Sequence, residues 1–355
     1  MCAMRTVEWD YDRSVICMID QRLLPGEFVI VAYDDYHQVA GAIRDMVIRG
    51  APAIGAAAAL GLALAAKQSP STSVDDLKAD VNEAATVLKQ ARPTAVNLSW
   101  AVHRVVYAAF KYKTEVEAIR DTILEEAQRI CDEDVEINKK MANYGAALIA
   151  DGDTVIHHCN TGSLATVDWG TALGVIRQAH ESGKHIHVLV DETRPRLQGA
   201  RLTAWELEQY GISYDIICDN AAGYFLHTGQ VQKVIFGADR AARNGDIANK
   251  IGTYMLALAA KDNGVPAYAV VPTSTVDLSL ANGALIPIEE RYGDEVLDIQ
   301  KEGKPIAPKN ASARNPAFDI TPNRLITAIV TEKGVIYPPF ETNLPGVIRD
   351  EHRGS

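Results

Sequence analysis

The chain of 355 residues is 47% hydrophobic and 23% charged. That is the balance of an ordinary globular protein with room for a large core, and one or two domains are expected of its length. A formal charge of -11 disfavours nucleic acid or an anionic membrane surface as the main partner, although a locally basic pocket can still take an anionic small molecule. The cysteines, Cys2, Cys17, Cys131, Cys159 and Cys218, are scattered. They form no C-x-x-C pair, zinc run or disulfide framework, and residues 1–10 have no apolar signal core, so a reducing cytoplasm is expected.

The first elements read as an antiparallel pair. Residues 14–19 and 27–32 are strand-like, and Leu24-Pro-Gly26 between them is a turn signal. Residues 36–47 read as a helix. After Arg49-Gly-Ala-Pro52 an alanine-rich run to Lys67 reads as another, with Pro52 acceptable in its first turn. Its apolar part, 51–66, is shorter than the roughly 20 residues that cross a bilayer, so a buried helix is expected and no membrane partner. Thr72 and Ser73 are candidate caps for a helix to about residue 89, with Asp75 and Asp76 suited to its first turn. Arg92-Pro-Thr94 interrupts the pattern before a helical run opens at Asn97-Leu-Ser-Trp100. A charge-laced helix over 111–130 and a further segment over about 135–149 follow. Residues 1–130 are therefore expected to be a mainly helical domain with a small antiparallel sheet.

From Asp151 short apolar strands appear at 154–158, 185–190, 214–218, 233–237 and 267–271. Helical stretches at 167–182, 202–210, 221–228 and 251–263 separate them. This alternation specifies an α/β domain whose parallel sheet is covered on both faces. Residues 325–330 and 334–337 add a late strand and hairpin partner. The second domain is placed at 131–349, including a connecting helix, with a charged tail at 350–355.

Two strand ends carry chemistry. In Thr154-Val-Ile-His-His-Cys-Asn-Thr-Gly162 an apolar strand becomes small and polar at Cys159, and Lys233-Val-Ile-Phe-Gly-Ala-Asp239 delivers a carboxylate in the same manner. Open α/β sheets hold ligands at the carboxyl ends of their strands. An apolar strand gains nothing from ending in Asp unless water, a partner or a substrate receives it. A thiolate at Cys159, favoured by the amides of Asn160-Thr-Gly162 and a helix starting close by, suits proton abstraction or nucleophilic attack. A small buried cysteine without reactivity has the same local sequence. Asp239 reads either as an acid for a ring oxygen or as the ion-pair partner of Arg240.

Candidate anion contacts are Asn249-Lys250 before an apolar helix, Arg49-Gly50-Ala51, and Arg92. Gln198, in the charged loop Asp191-Glu-Thr-Arg-Pro-Arg-Leu-Gln-Gly199, can bond a sugar or phosphate. Helix capping, exposed salt bridges and a lid or intersubunit ion network are the competing readings. His157 and His158 are consecutive in a strand and face opposite ways; with His185 and His187 they complete no metal set. Dinucleotide and Walker loops are absent from the sequence, and no metal or organic cofactor is expected.

Several ordered motifs resemble the methylthioribose-1-phosphate isomerase family over nearly the whole chain. They are Met18-Ile-Asp-Gln-Arg-Leu-Leu-Pro25, Arg49-Gly-Ala-Pro-Ala-Ile54, Arg92-Pro-Thr-Ala-Val-Asn-Leu98 and His158-Cys-Asn-Thr-Gly162, then Asp191-Glu-Thr-Arg-Pro-Arg-Leu-Gln-Gly-Ala-Arg-Leu-Thr-Ala204, Gly237-Ala-Asp-Arg240 and Asn249-Lys-Ile-Gly252. The family is grouped with regulatory alpha, beta and delta subunits of the translation initiation guanine-exchange factor and with ribose-1,5-bisphosphate isomerases. The resemblance implies a helical N-terminal domain, a Rossmann-like C-terminal domain without NAD, and a homodimer. It makes Cys159 and Asp239 the catalytic pair, Arg49, Arg92, Gln198 and Lys250 phosphate contacts, and Gly50, Ala51 and Asn249 substrate contacts.

The implied reaction converts 5-methylthio-α-D-ribose 1-phosphate to 5-methylthio-D-ribulose 1-phosphate in methionine salvage. Proton transfer through Cys159 and hydride transfer from C2 to C1 both satisfy it. Trp100 and residues 51–54 are apolar candidates for the methylthio group. A bisphosphate isomerase is the enzymatic alternative; a translation-factor regulatory subunit is the non-catalytic one.

Overall fold

The computed structural model describes residues 5–93, 95–111 and 114–349. Cys2, Thr94 and the tail 350–355 lie outside them. The fold is mixed α/β, in two compact units: residues up to Lys139 together with Thr161–Gly170, and Lys140–Asn160 together with the chain from Thr171 onward.

The first unit opens with a three-stranded antiparallel sheet, β1 (Val7–Asp10), β2 (Val15–Ile19) and β3 (Ile30–Tyr33), with β2 central. Four helices follow: α1 (Tyr36–Arg44), α2 (Ala51–Gln68), α3 (Val74–Ala91) and α4 (Val96–Lys111). Ser73 caps α3 by accepting the Asp76 N–H at 3.1 Å. In α2 the run from Ala53 to Ala66 is buried without interruption. Small side chains all round let α1, α3 and α4 pack directly on it. By length and composition α2 alone among the described residues is apolar enough to cross a membrane, and 78% of it lies inside the fold.

The expected break near residue 130 does not occur. A single helix, α5 (Val116–Ala146), runs through it. Its acidic run is neutralised from outside: Asp132 pairs with Arg5, Glu133 with Arg104, and Asp134 accepts the Val167 N–H at 2.7 Å.

The second unit is built on β4 (Thr154–His157), α6 (Ala172–Glu181), β5 (His187–Asp191), α7 (Ala204–Tyr210), β6 (Ser213–Ile217), α8 (Ala222–His227) and β7 (Lys233–Phe236). It continues through β8 (Arg240–Ala242), β9 (Ile247–Lys250), α9 (Thr253–Asp262), β10 (Ala267–Val270) and β11 (Val276–Asp277). Last come α10 (Asp294–Leu297), β12 (Gln300–Lys301), β13 (Lys304–Pro305), β14 (Phe318–Thr321), β15 (Ala328–Thr331), β16 (Gly334–Ile336) and α11 (Phe340–Arg349). Seven strands form one sheet in the order β16-β15-β10-β7-β4-β5-β6. Every pairing in it is parallel except β15 with β16. Consecutive residues of β10 and β15 are all buried, as in a sheet covered on both faces.

Two expectations are corrected. The helix placed at 167–182 begins only at Ala172, because Trp169 and Gly170 take φ of 73° and 87° and turn the chain. Between β7 and α9 the chain forms β8 and β9, part of a second sheet ordered β11-β8-β9-β14.

Candidate active site

In the seven-stranded sheet the chain proceeds outward from β4 to β5 and β6 on one side, and from β7 to β10 and β15 on the other. The direction reverses between β4 and β7, and a ligand crevice in such sheets opens there, beyond the carboxyl ends of the strands. These two strands are hydrogen-bonded neighbours, with His157 opposite Ile235. Cys159 lies just past the end of β4 and Asp239 just past the end of β7. The sequence-predicted pair thus leaves adjacent strands at the switch point.

Cys159 is 8% exposed and takes φ of 68°, a left-handed conformation that costs a non-glycine residue about 1–2 kcal/mol. The surroundings hold it. Its N–H donates to Thr193 Oγ1 at 2.9 Å, and its carbonyl accepts from Thr203 Oγ1 at 2.7 Å. Thr193 Oγ1 donates in turn to the Asp191 carbonyl at 2.9 Å. Asn160 Nδ2 donates to Thr203 Oγ1 at 3.1 Å and to the buried Glu206 at 2.8 Å.

One residue earlier, His158 is fully buried between Asp191, 2.8 Å from Nδ1, and the Ile251 carbonyl, 3.0 Å from Nε2. Burial works against its charge, but the Asp191 carboxylate prevails and raises the imidazole above its ordinary range. His157, also buried, is pushed down to about 3 by desolvation and then by His158. His158, Asp191 and Asp219 bring ligand atoms within 4.8 Å of one another. Both ring nitrogens of His158 are engaged, and Asp219 accepts the N–H groups of Thr193 and Arg194. The cluster is a hydrogen-bonded strut between strand ends.

Asp239 is exposed, and its N–H donates to the Ala248 carbonyl at 2.9 Å. This bond brings the β7 end to β9, which carries Asn249 and Lys250. Lys250 is buried, donates from Nζ to the Ala317 carbonyl at 2.9 Å, and lies 4.6 Å from the Phe318 ring centroid, a ring that Arg291 also approaches at 5.6 Å. Burial pushes the Lys250 ammonium down, Arg291 adds to this, and the charges of Cys159, Asp239 and Glu295 oppose it. The three side chains from β4, β7 and β9 therefore share one electrostatic neighbourhood.

Of the anion receptor expected at the following helix N-terminus, two backbone amides are already taken. The amides of Gly252 and Tyr254 already donate to the Asp319 carboxylate, at 2.7 and 3.1 Å. Asn249 bonds Thr253 Oγ1 at 3.0 Å. The helix behind Cys159 starts only at Ala172, after a short 3-10 turn at Ser163–Ala165.

Gln198 is 8% exposed, and its Oε1 finds no donor among the described residues, which suits a sugar hydroxyl. It stands before a π-helical turn, Gly199–Thr203, that brings the backbone against the end of β5. A Cβ at Gly199 would lie 1.7 Å from the Asp191 carbonyl oxygen.

The remaining candidates are in the first unit. Arg49 Nε donates to Gln21 Oε1 at 3.1 Å, and Gln21 Nε2 donates to the Leu164 carbonyl at 2.7 Å. Gly50, at φ of 97°, approaches so closely that a Cβ would lie 2.2 Å from Ala165 O. Ala51 begins α2 with Pro52 behind it, and Gly50 supplies no side-chain cap. The Arg49-Gly50-Ala51 segment is thereby fixed against 164–165, which follow Cys159 in the chain. Arg92 terminates α3 and is half-buried. Trp100 is 44% exposed with the Arg104 guanidinium over its ring.

Sequence reasoning missed Gln21, Thr193, Thr203 and Arg291. The first three lie in motifs quoted above, and buried hydroxyls and amides within polar loops were the available signal.

Residues 47–338 match the Initiation factor 2 subunit family. A methylthioribose-1-phosphate isomerase of Synechococcus sp. is 53% identical over 335 residues, 94% of this chain and 96% of that protein. The chain belongs to the methylthioribose-1-phosphate isomerase family. A relative of that name from Geobacter metallireducens is 51% identical over 98% of this chain and 99% of its own. Among solved structures, 5-methylthioribose 1-phosphate isomerase from Pyrococcus horikoshii has TM-score 0.92 and 44% identity, covering 99% of this chain and 97% of that one. A structure titled translation initiation factor eIF-2B, subunit delta, from A. fulgidus has TM-score 0.88 and 44% identity, covering 98% and 100%.

Proposed function

We propose that this family member is an aldose–ketose isomerase converting 5-methylthio-α-D-ribose 1-phosphate to 5-methylthio-D-ribulose 1-phosphate in methionine salvage. The observation that carries the chemical reading is the pairing of β4 with β7, whose ends present Cys159 and Asp239 beside Lys250. The anomeric oxygen bears phosphate, so the sugar cannot open as a free aldose does. In the proposed route Asp239 protonates the ring oxygen and the C1–O4 bond breaks with the phosphate retained. Cys159 thiolate removes the C2 proton, an enol-type intermediate forms, and the proton returns to C1 as the C2 hydroxyl passes its own to the Asp239 carboxylate or to bound water and becomes the ketone. Lys250, Arg49 with the Gly50 and Ala51 backbone, Arg92 and Gln198 bind the phosphate, and Asn249 contacts the sugar. Hydride transfer from C2 to C1 uses the same pair, with Cys159 polarising. A homodimer in the cytoplasm completes this reading.

The test follows C2-deuterated substrate into product. Washout into solvent supports acid–base transfer through the thiol, and absence of any turnover of the methylthio sugar rejects the reading. Efficient turnover of ribose 1,5-bisphosphate in its place would assign the second enzymatic function. The similarity to the A. fulgidus structure, titled as a translation factor subunit, favours one further reading, a non-catalytic subunit. Stoichiometric assembly with factor subunits without isomerisation would establish it.

A further inference from the structure

We infer that Thr193 and Thr203 are positioning residues for the reaction, a two-hydroxyl clamp that fixes the direction of the Cys159 thiol by gripping the backbone on either side of its Cα. The inference rests on the reading of Cys159 as the reacting thiol. Three observations carry it. Cys159 holds φ of 68°, and a non-glycine residue stays in that region only when its surroundings over-determine it. Both of its backbone polar groups end on threonine hydroxyls, the N–H on Thr193 at 2.9 Å and the carbonyl on Thr203 at 2.7 Å. Each hydroxyl is also held by a second partner. Thr193 Oγ1 donates to the Asp191 carbonyl at 2.9 Å, and Thr203 Oγ1 accepts from Asn160 at 3.1 Å.

The clamp has a direction. Each hydroxyl has one proton and a carbonyl can only accept it, so Thr193 gives its proton to Asp191 and accepts from the Cys159 N–H, while Thr203 gives its proton to the Cys159 carbonyl and accepts from Asn160. Asn160 is oriented by Glu206, which Tyr210 bonds at 3.1 Å. Thr193 and Thr203 have less than 1% exposure, so water does not take over a lost bond. Without a grip on one side, rotation about φ toward the extended region relieves the strain and swings the Cα–Cβ bond, carrying Sγ with it. Displacement of a reacting group by about 1 Å costs about 100-fold in rate, while phosphate contacts elsewhere keep the substrate bound.

The experiment compares Thr203→Val, Thr193→Val, Thr203→Ser and Thr193→Ser with the intact protein and Cys159→Ser. The readouts are kcat, KM and the pH profile of iodoacetamide alkylation at Cys159, located by peptide mass. The valine variants should lose about 10- to 100-fold in kcat with KM within about threefold. They should also show an altered alkylation profile, which a merely stabilising role would leave unchanged in the folded protein. The serine variants keep the hydroxyl and should stay within about threefold of the intact kcat.

Valine variants with unchanged kcat and alkylation overturn the inference. So does a tenfold fall in either serine variant, a result that decides the matter even if a valine variant does not fold. Cys159→Ser separates the two levels. If it turns over normally, the thiol reading fails and the clamp with it; if it is inactive while the valine variants are not, only the clamp fails.

Discussion

The ends of β4 and β7 leave the same sheet side by side and present their side chains in opposite ways. Cys159 is buried, strained and tied through both backbone groups. Asp239 is exposed, and its N–H donates to the Ala248 carbonyl. The difference matches the proposed chemistry. A thiol that removes a carbon-bound proton must be aimed and shielded from water, whereas an acid that protonates a ring oxygen can exchange protons with solvent.

The largest effect expected on that contrast is at the thiol. Cys159→Ser replaces an ionisable group with a hydroxyl that stays protonated, and kcat should fall by about a thousandfold or more, with the substrate dissociation constant nearly unchanged. Calorimetric binding alongside turnover checks both halves; retained turnover ends the thiol's role. Asp239→Asn should cost about 100-fold in kcat, less than the thiol because water can reach this exposed end and supply a proton. If the aspartate variant proves the more damaging, the open end of the pair is the more demanding one, and the comparison inverts.

The next effect separates chemistry from binding. Lys250→Met should raise KM by about 10- to 100-fold, the worth of a charge-assisted bond to phosphate, with a smaller change in kcat. Burial and Arg291 hold the Lys250 ammonium below its ordinary range. As pH rises through that lowered value the cation is lost, so kcat/KM should decline on an alkaline limb earlier than ordinary lysine titration allows. Lys250→Arg keeps its charge throughout and should remove the limb. A profile from pH 7 to 10 identical in the two proteins would assign the limb elsewhere.

The strand ends were legible because local sequence marks them: three β-branched or apolar residues, 154–156 and 234–236, give way to small and polar ones at 158–162 and again at 237–239. Lys250 was found, but its setting was misread. Ile247–Lys250 looks like the lead-in to a helix, and it becomes a strand by pairing with β8 on one side and with Phe318–Thr321, far along the chain, on the other. That partner also brings Asp319, which occupies the helix amides that sequence had assigned to substrate. The acidic run at 132–134 looked like a break because its compensating partners, Arg5, Arg104 and the Val167 amide, are remote in sequence. For the same reason nothing around Cys159 announces its two hydroxyl partners, 34 and 44 residues later. Local pattern predicts where a strand stops; what holds its last residue in an unfavourable conformation is tertiary.

The smallest effect tests whether the β4 end is also the titratable one. His158 ties the strand to Asp191 and Ile251, and its imidazole is raised above the ordinary range because the Asp191 carboxylate outweighs burial. A raised pKa means that the folded protein binds this proton more tightly than the unfolded chain. The stabilisation is complete below the unfolded value of about 6.5 and is lost as pH climbs through the folded one. The melting temperature should therefore decline by roughly 1–3 °C more in the intact protein than in His158→Gln between pH 6 and pH 9. Asp239→Asn should leave that slope untouched, since Asp239 lies outside the His158–Asp191 pair. Parallel slopes for the intact protein and His158→Gln would mean that the His158–Asp191 strut holds the strand end by hydrogen bonding alone, without a proton of its own.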